Sequence, residues 1–138
     1  MKLIGLDVGA KRIGVAFGDS EMRLATPVGV IERKSIDADA RALAHYLREY
    51  DAAQWIVGLP RNMDDSRGFQ AETIVRYAEQ LANVVAVRPL FWDERLTTIE
   101  ATRRLHEIPA HTKRKSRATL DALAAAVILQ DYLDTQTS

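Results

Sequence analysis

Three carboxylates each interrupt or close an apolar pattern, and any fold of this chain has to place them. Asp7 ends the run Leu3-Ile4-Gly5-Leu6-Asp7, Glu94 closes the run that begins at Val84, and Asp121 lies on the apolar stripe of residues 120–129. A buried carboxylate without a partner costs several kcal/mol even after relaxation. Gathered in one cleft, three of them require a divalent cation. Hard cations held by carboxylate oxygens point in turn to metal-dependent phosphodiester chemistry.

The chain has 138 residues, near the usual size of one domain with its own core. No cysteine is present, so disulfides and thiolate metal sites are excluded, as suits a cytoplasmic protein. No apolar stretch nears the ~20 residues a membrane span needs, and the N-terminus lacks a basic-then-apolar leader, so no membrane association is expected. The net charge is zero but unevenly spread. Between Arg103 and Arg117, six basic residues (Arg103, Arg104, Lys113, Arg114, Lys115, Arg117) accompany the single acid Glu107. Such a patch can bind phosphates in a neutral protein, although a solvated basic loop reads the same way.

Apolar periodicity sets the expected elements. Residues 2–8 and 12–18 read as strands joined by a short glycine-containing turn, hence an antiparallel hairpin. Residues 24–32, with Pro27, read as a strand at an edge. Helical spacing covers 37–50, a short buried strand follows at 55–58, and 61–68 reads as a polar loop. A helix is expected over 69–82 and a strand over 84–92. Thr97 and Glu100 form a capping-box pattern opening a short helix to about residue 107. Residues 108–116 show no periodic face and are expected to be poorly ordered until nucleic acid binds, with a last helix over 117–133. Three strands followed by alternating helices and strands predict a mixed five-stranded sheet with helices on both faces, the order of the ribonuclease H-like α/β fold.

Four motifs then resemble one family in its order along nearly the whole chain. They are Asp7-Val8-Gly9-Ala10-Lys11-Arg12-Ile13-Gly14-Val15-Ala16, Gly58-Leu59-Pro60-Arg61-Asn62-Met63-Asp64, Asp93-Glu94-Arg95-Leu96-Thr97-Thr98, and Asp121-x-x-Ala124-Ala125-x-x-Ile128-Leu129. Together they are similar to the YqgF/RuvX family, described both as Holliday junction resolvases and as pre-16S rRNA nucleases. One departure is Asp65, where the family pattern has glycine. The resemblance implies a ribonuclease H-like nuclease using Mg²⁺ or Mn²⁺, two ions in all, with Asp7, Glu94 and Asp121 at the family's acidic positions. The implied substrate is a structured RNA precursor or branched DNA, cut by a monomer or weak homodimer.

Each residue also has a plainer reading. Asp7 could cap a turn through backbone N–H groups. Period-two alternation lets only one of Asp93 and Glu94 share a given sheet face; we read Glu94 as the ligand and Asp93 as a supporting or exposed group. Lys11, Arg12, Arg61, Arg95, Lys113, Arg114, Lys115 and Arg117 are candidate phosphate contacts, or solvated charges. The helix that Arg95 precedes could bind phosphate through free N–H groups. His45, His106 and His111 lack ligand spacing, and Trp55 and Trp92 fit a core better than a base-stacking platform. Two other classes compete: an inert ribonuclease H-like nucleic-acid-binding module, and a sugar-kinase or actin-like ATPase. The latter needs two such domains around its nucleotide.

Overall fold

The computed structural model describes residues 1–60, 65–94 and 113–136, without the side chains at 65–69, 94 and 113–117. Five strands form one sheet in the order β3-β2-β1-β4-β5. They are β1 (Lys2–Val8), β2 (Arg12–Asp19), β3 (Leu24–Glu32), β4 (Gln54–Pro60) and β5 (Leu90–Glu94). The helices are α1 (Ile36–Glu49), α2 (Asp65–Val85) and α3 (Lys113–Thr135). β1, β2 and β3 form an antiparallel meander, whereas β4 pairs with β1, and β5 with β4, in parallel. This is the mixed sheet of the ribonuclease H-like fold, with β3 and β5 outermost among the described strands.

Strand alternation sorts the side chains into two cores. Ile4, Leu6 and Val8 of β1 join Trp55 and Val57 of β4 against α1 and α2. Leu3, Ala16 and Ile56 face the other way, against Ala125, Leu129 and Leu133 of α3. Asp39 and Ser35 fasten the start of α1: the Ser35 hydroxyl accepts from the Ala38 N–H at 3.1 Å. Pro27 sits on edge strand β3, where its missing N–H is harmless, and the register slips between Val15 and Ala16 opposite it.

Three boundaries differ from expectation. Residues 84–92 do not form a strand: α2 runs on through Val85, and β5 begins only at Leu90. The apolar run conceals a helix end, because Val85 and Val87 pack on the same core that α2 serves. Ala86 stops the helix in the left-handed region (φ 64), its N–H donating to the Ala82 carbonyl at 2.9 Å, and Pro89 follows. Side chains of β4 hold the connector, with Trp55 Nε1 donating to the Val87 carbonyl at 2.9 Å and Gln54 Nε2 to that of Arg88 at 2.8 Å. The polar loop expected over 61–68 is helical from Asp65, and α3 begins at Lys113, so residues 113–116 of the segment expected to be poorly ordered are helix. Polarity alone does not bar a helix, since lysine and arginine are good helix formers. The helix expected over 97–107 lies outside the described residues.

α3 lies on the sheet almost backbone to backbone because the strands beneath it carry glycine. A Cβ added at Gly14 would run into the Asp121 carbonyl and sit 3.1 Å from the Ala122 nitrogen. At Gly5 it would meet Leu129 Cβ at 3.0 Å, and at Gly18 Leu129 Cδ2 at 2.8 Å. Positions 121, 125, 129 and 133 thus form one helical stripe over Gly14, Gly5 and Gly18. Gln130 ties the same helix to β3, accepting from the Ala25 N–H and donating to the Arg23 carbonyl, both at 2.9 Å.

Gly14→Ala is therefore expected to cost about 2–3 kcal/mol of stability, since backbone rather than a flexible side chain must move. With a urea slope of roughly 1–3 kcal/mol/M, the unfolding midpoint falls by about 1 M. Gly5→Ala, which presses mainly on the Leu129 side chain, should lower it by less than half as much. Equal midpoints for the two variants would disprove this seating of α3 at Gly14.

Candidate functional site

β1, β4 and β5 run parallel, so their carboxyl ends open on the same edge of the sheet, where open α/β sheets place ligand crevices. Asp7 lies one residue from the end of β1. Alternation from Leu3 through Gly5 puts it on the α3 face, partly buried. Its register partner on β2 is Gly14, the residue on which the backbone of Asp121 rests. Two acidic residues 114 positions apart in sequence thus both have their backbones against Gly14, a residue without a side chain. Asp121 itself is about 30% exposed.

β5 resolves the acid pair by register. Trp92 packs on α3, its ring 5.5 Å from Tyr132 and nearly perpendicular to it. Leu59, the register partner of Asp93, packs into the opposite core. Asp93 therefore shares the α1–α2 face and is exposed, while position 94, paired with Pro60, falls on the row of Trp92 and Asp7. The Glu94 side chain lies outside the described residues.

Arg12 is two residues before Gly14 and on the same face. Its Nε donates to Asp121 Oδ2 at 2.8 Å. That hydrogen bond raises the guanidinium pKa above its ordinary value, with the charges of Asp121 and Glu32 adding to it and burial working against it. An ion pair this accessible adds at most about 1 kcal/mol to stability. Its significance is its position, because it sets a cation against a partly buried carboxylate of the acidic cluster.

A chain of contacts braces the β1–β2 turn from behind. Gly9 donates to the Arg12 carbonyl at 2.9 Å, and Arg33 NH1 donates to the Gly9 carbonyl at 2.7 Å. The Arg33 guanidinium lies 4.0 Å above the Tyr77 ring, and the Tyr77 hydroxyl donates to Asp39 Oδ2 at 2.5 Å. Asp39 is 3% exposed and also accepts from the Lys34 N–H at 2.9 Å. Burial first, and then the hydrogen bond to Asp39, push the Tyr77 phenol above its usual range.

The predicted site residues divide accordingly. Asp7, Arg12 and Asp121 come together, exposed Lys11 sits in the adjoining turn, and Asp93 turns to the other face. Lys113, Arg114, Lys115 and Arg117 lie along the first turns of α3, with Lys113 about 12 Å of helix before Asp121. Arg61 and Arg95 lie outside the described residues. Trp55 is fully buried, as expected of a core residue. Sequence reasoning missed the Arg12–Asp121 pair and the Arg33–Tyr77–Asp39 brace, which no local pattern announces. It also missed the glycines under α3, for which glycine inside a strand was a usable sign of close backbone approach.

The donor set suits a hard divalent cation. Asp7 and Asp121 offer oxygens from two separate elements, and position 94 lies on the same face at the same end of the sheet. Among the described residues no three potential ligand side chains cluster. The two carboxylates and the positive charge already drawn to Asp121 are the features that fit a cation.

Residues 1–135 match the family model described as RuvX: Holliday junction resolvase. A protein of Caldanaerobacter subterraneus provisionally named pre-16S rRNA nuclease is 42% identical over 136 residues, covering 99% of this chain and 98% of the relative. A protein of Symbiobacterium thermophilum with the same provisional name is 41% identical over 138 residues, covering 100% and 95%. Among solved structures, T. thermophilus RuvC in complex with Holliday junction substrate superposes with a TM-score of 0.57 at 13% identity, over 96% of this chain and 93% of that one. The fowlpox virus Holliday junction resolvase gives 0.53 at 12%, over 98% and 99%. Structural likeness at these identities concerns the fold.

The brace behind the turn has a distinct pH signature. A phenol whose pKa lies higher in the folded than in the unfolded state contributes stability that is complete below about pH 10 and declines as pH rises beyond it. Tyr77→Phe should cost about 1–3 kcal/mol at pH 7, because buried Asp39 loses a donor. The gap in urea midpoint between wild type and variant should narrow from pH 9 to pH 11. A gap independent of pH would show that the phenol does not carry this linkage.

Proposed function

Because the chain belongs to the RuvX family of Holliday junction resolvases and is a nuclease acting on phosphodiester bonds, we propose that the edge of the sheet bearing Asp7, Glu94 and Asp121 is its active site. The observation that carries this reading is the meeting of Asp7 and Asp121 across Gly14, with a cation held at Asp121. The three carboxylates would hold Mg²⁺ or Mn²⁺, two ions in all. When bound, these supply an activated water and neutralise the charge that develops on the transferring phosphate. Asp93, on the other face of β5, supports the strand end from outside the ligand set.

The rest of the chain's work is to hold nucleic acid at that edge. Lys11 and Arg12 in the hairpin, with Arg61 and Arg95 after β4 and β5, stand in sequence next to the strand ends and contact phosphates. Lys113, Arg114, Lys115 and Arg117 open α3, where unsatisfied N–H groups and the positive end of the helix dipole add to their charge. Such contacts follow the backbone without reading bases, which suits both structured RNA and branched DNA. The substrate we propose is a structured nucleic acid, the 5′ end of pre-16S rRNA or a branched DNA such as a Holliday junction, met in the cytoplasm. A monomer suffices to trim one strand, whereas paired cuts across a junction need a two-fold dimer. Among the described residues no helix is long and apolar enough to cross a membrane.

A cleavage assay offering a four-way DNA junction and a structured RNA precursor side by side assigns the substrate. EDTA should abolish cleavage of either. Asp7→Asn should slow it at least about 100-fold, the equivalent of losing roughly 3 kcal/mol of charge stabilisation, without loss of folding stability, because repulsion between the acids is relieved. Glu94→Gln should behave in the same way and Asp93→Asn should remain active; the reverse result would exchange their roles. Wild-type rates for Asp7→Asn would show that the acidic centre is not catalytic, whereas no cleavage by the wild type would leave the inert binding module.

The basic start of α3 is tested by binding. Changing Lys113, Arg114 and Lys115 together to alanine should weaken affinity for any sequence. It should also flatten the slope of log affinity against log salt, by up to about 0.9 per lost duplex contact or about 0.7 for a single strand. Metal binding should be unaffected. An unaltered slope would move the substrate path to Lys11, Arg12 and Arg61.

A further inference from the structure

Arg12 has two claims on its guanidinium. In the free protein its Nε is bonded to Asp121 Oδ2 at 2.8 Å, the carboxylate expected to hold a divalent cation. As a phosphate contact it would present its N–H donors to substrate while the charge of Asp121 still neutralises it. The pair reaches solvent, with 28% of the Arg12 and 30% of the Asp121 side chain exposed, so the guanidinium has solvent to turn into. It stands on the α3 face of β2 two residues from Gly14, and Asp7 lies across that glycine. A divalent cation drawn to Asp7 and Asp121 would meet a fixed positive charge at its own ligand. Like charges at contact distance repel even where solvent reaches them.

We propose that Arg12 is a displaceable counter-ion: it neutralises Asp121 while the site is empty of metal, and cation binding releases its guanidinium to the substrate phosphate. This inference rests on the metal-dependent reading of the site. Arginine suits the task because it stays charged at every physiological pH and forms equivalent bidentate bonds to carboxylate and to phosphate. Glu32, the register partner of Arg12 on β3, is exposed and offers the released side chain a resting place before substrate arrives. Linkage then fixes the sign of the coupling. A phosphate that draws Arg12 from Asp121 strengthens metal binding, and metal strengthens phosphate binding by the same factor, with no backbone movement. The free enzyme would accordingly load metal weakly and become fully charged only with substrate in place.

The test follows the Arg12 side chain directly. In a ¹H–¹⁵N spectrum of the arginine Nε–H groups, the Arg12 signal is identified by its disappearance in Arg12→Lys, and Mg²⁺ alone is titrated into the wild-type protein. The signal is expected to shift and to exchange faster with water, following the Mg²⁺ isotherm measured by calorimetry. In Asp121→Asn it should begin at the released position and ignore Mg²⁺. Arg12→Ala should bind Mg²⁺ about fivefold or more tightly than wild type. Mg²⁺ that binds by calorimetry while the wild-type signal stays fixed, or an Arg12→Ala affinity equal to or weaker than wild type, overturns the proposal. No Mg²⁺ binding by any variant would instead overturn the metal reading of the site, and this inference with it.

Discussion

The contact between the backbone of α3 and the backbone of β2 at Gly14 is the constraint on which the rest depends. A helix normally stands off a sheet by the length of the side chains between them. Here Gly14, Gly5 and Gly18 remove those side chains along one diagonal, and Leu129 and Leu133 fill the space beyond, fully buried. Each such leucine contributes about 1.5–3 kcal/mol of transfer free energy, so the stripe that seats the helix is also the one that stabilises it. The same geometry fixes the height of Asp121 above the sheet. One helical turn of slippage would displace it by about 5 Å along the helix axis.

Charge in the site is arranged around that seat. Partly buried carboxylates on one face of the sheet are unfavourable without a counter-charge. Arg12 offsets the cost at Asp121, and the positive start of α3 lies within about 12 Å along the same helix. Behind the hairpin, the Arg33–Tyr77–Asp39 series gives the turn after Asp7 a fixed backing in the opposite core. A site that binds a polyanion through cations needs such rigidity, because electrostatic catalysis depends on groups already in place before the charge develops. The family to which the chain belongs, RuvX, is one of nucleases.

Much of the architecture was legible in the sequence because it is local. The β1–β2 hairpin, the edge strand with Pro27 and the α1 helix follow from alternation, a short turn and helical spacing, and each was found within a residue or two. The errors fell where hydrophobicity stays constant while the backbone changes state. Residues 84–92 are apolar except for Arg88, so little in their polarity marks the passage from α2 through left-handed Ala86 to β5. Conversely, residues 65–68 and 113–116 are polar yet helical, since a helix held by its neighbouring turns does not need an apolar residue in every turn.

The sequence by itself determined the stock of acids and bases, the absence of cysteine, the periods of the main elements and, through four motifs, the family. It also narrowed the β5 acids to one per face, because period-two alternation is a property of the strand alone. Which face lies toward Asp7 was decided only by the tertiary structure, where Trp92 packs on α3 and Leu59 beneath Asp93 packs on the other side. The pairing of Arg12 with Asp121 across 109 positions was decided there too. Side-chain periodicity reaches only a few residues along the chain, whereas a site is made where distant segments cross. Here that crossing is set at Gly14, where the backbone of a helix and the backbone of a sheet touch.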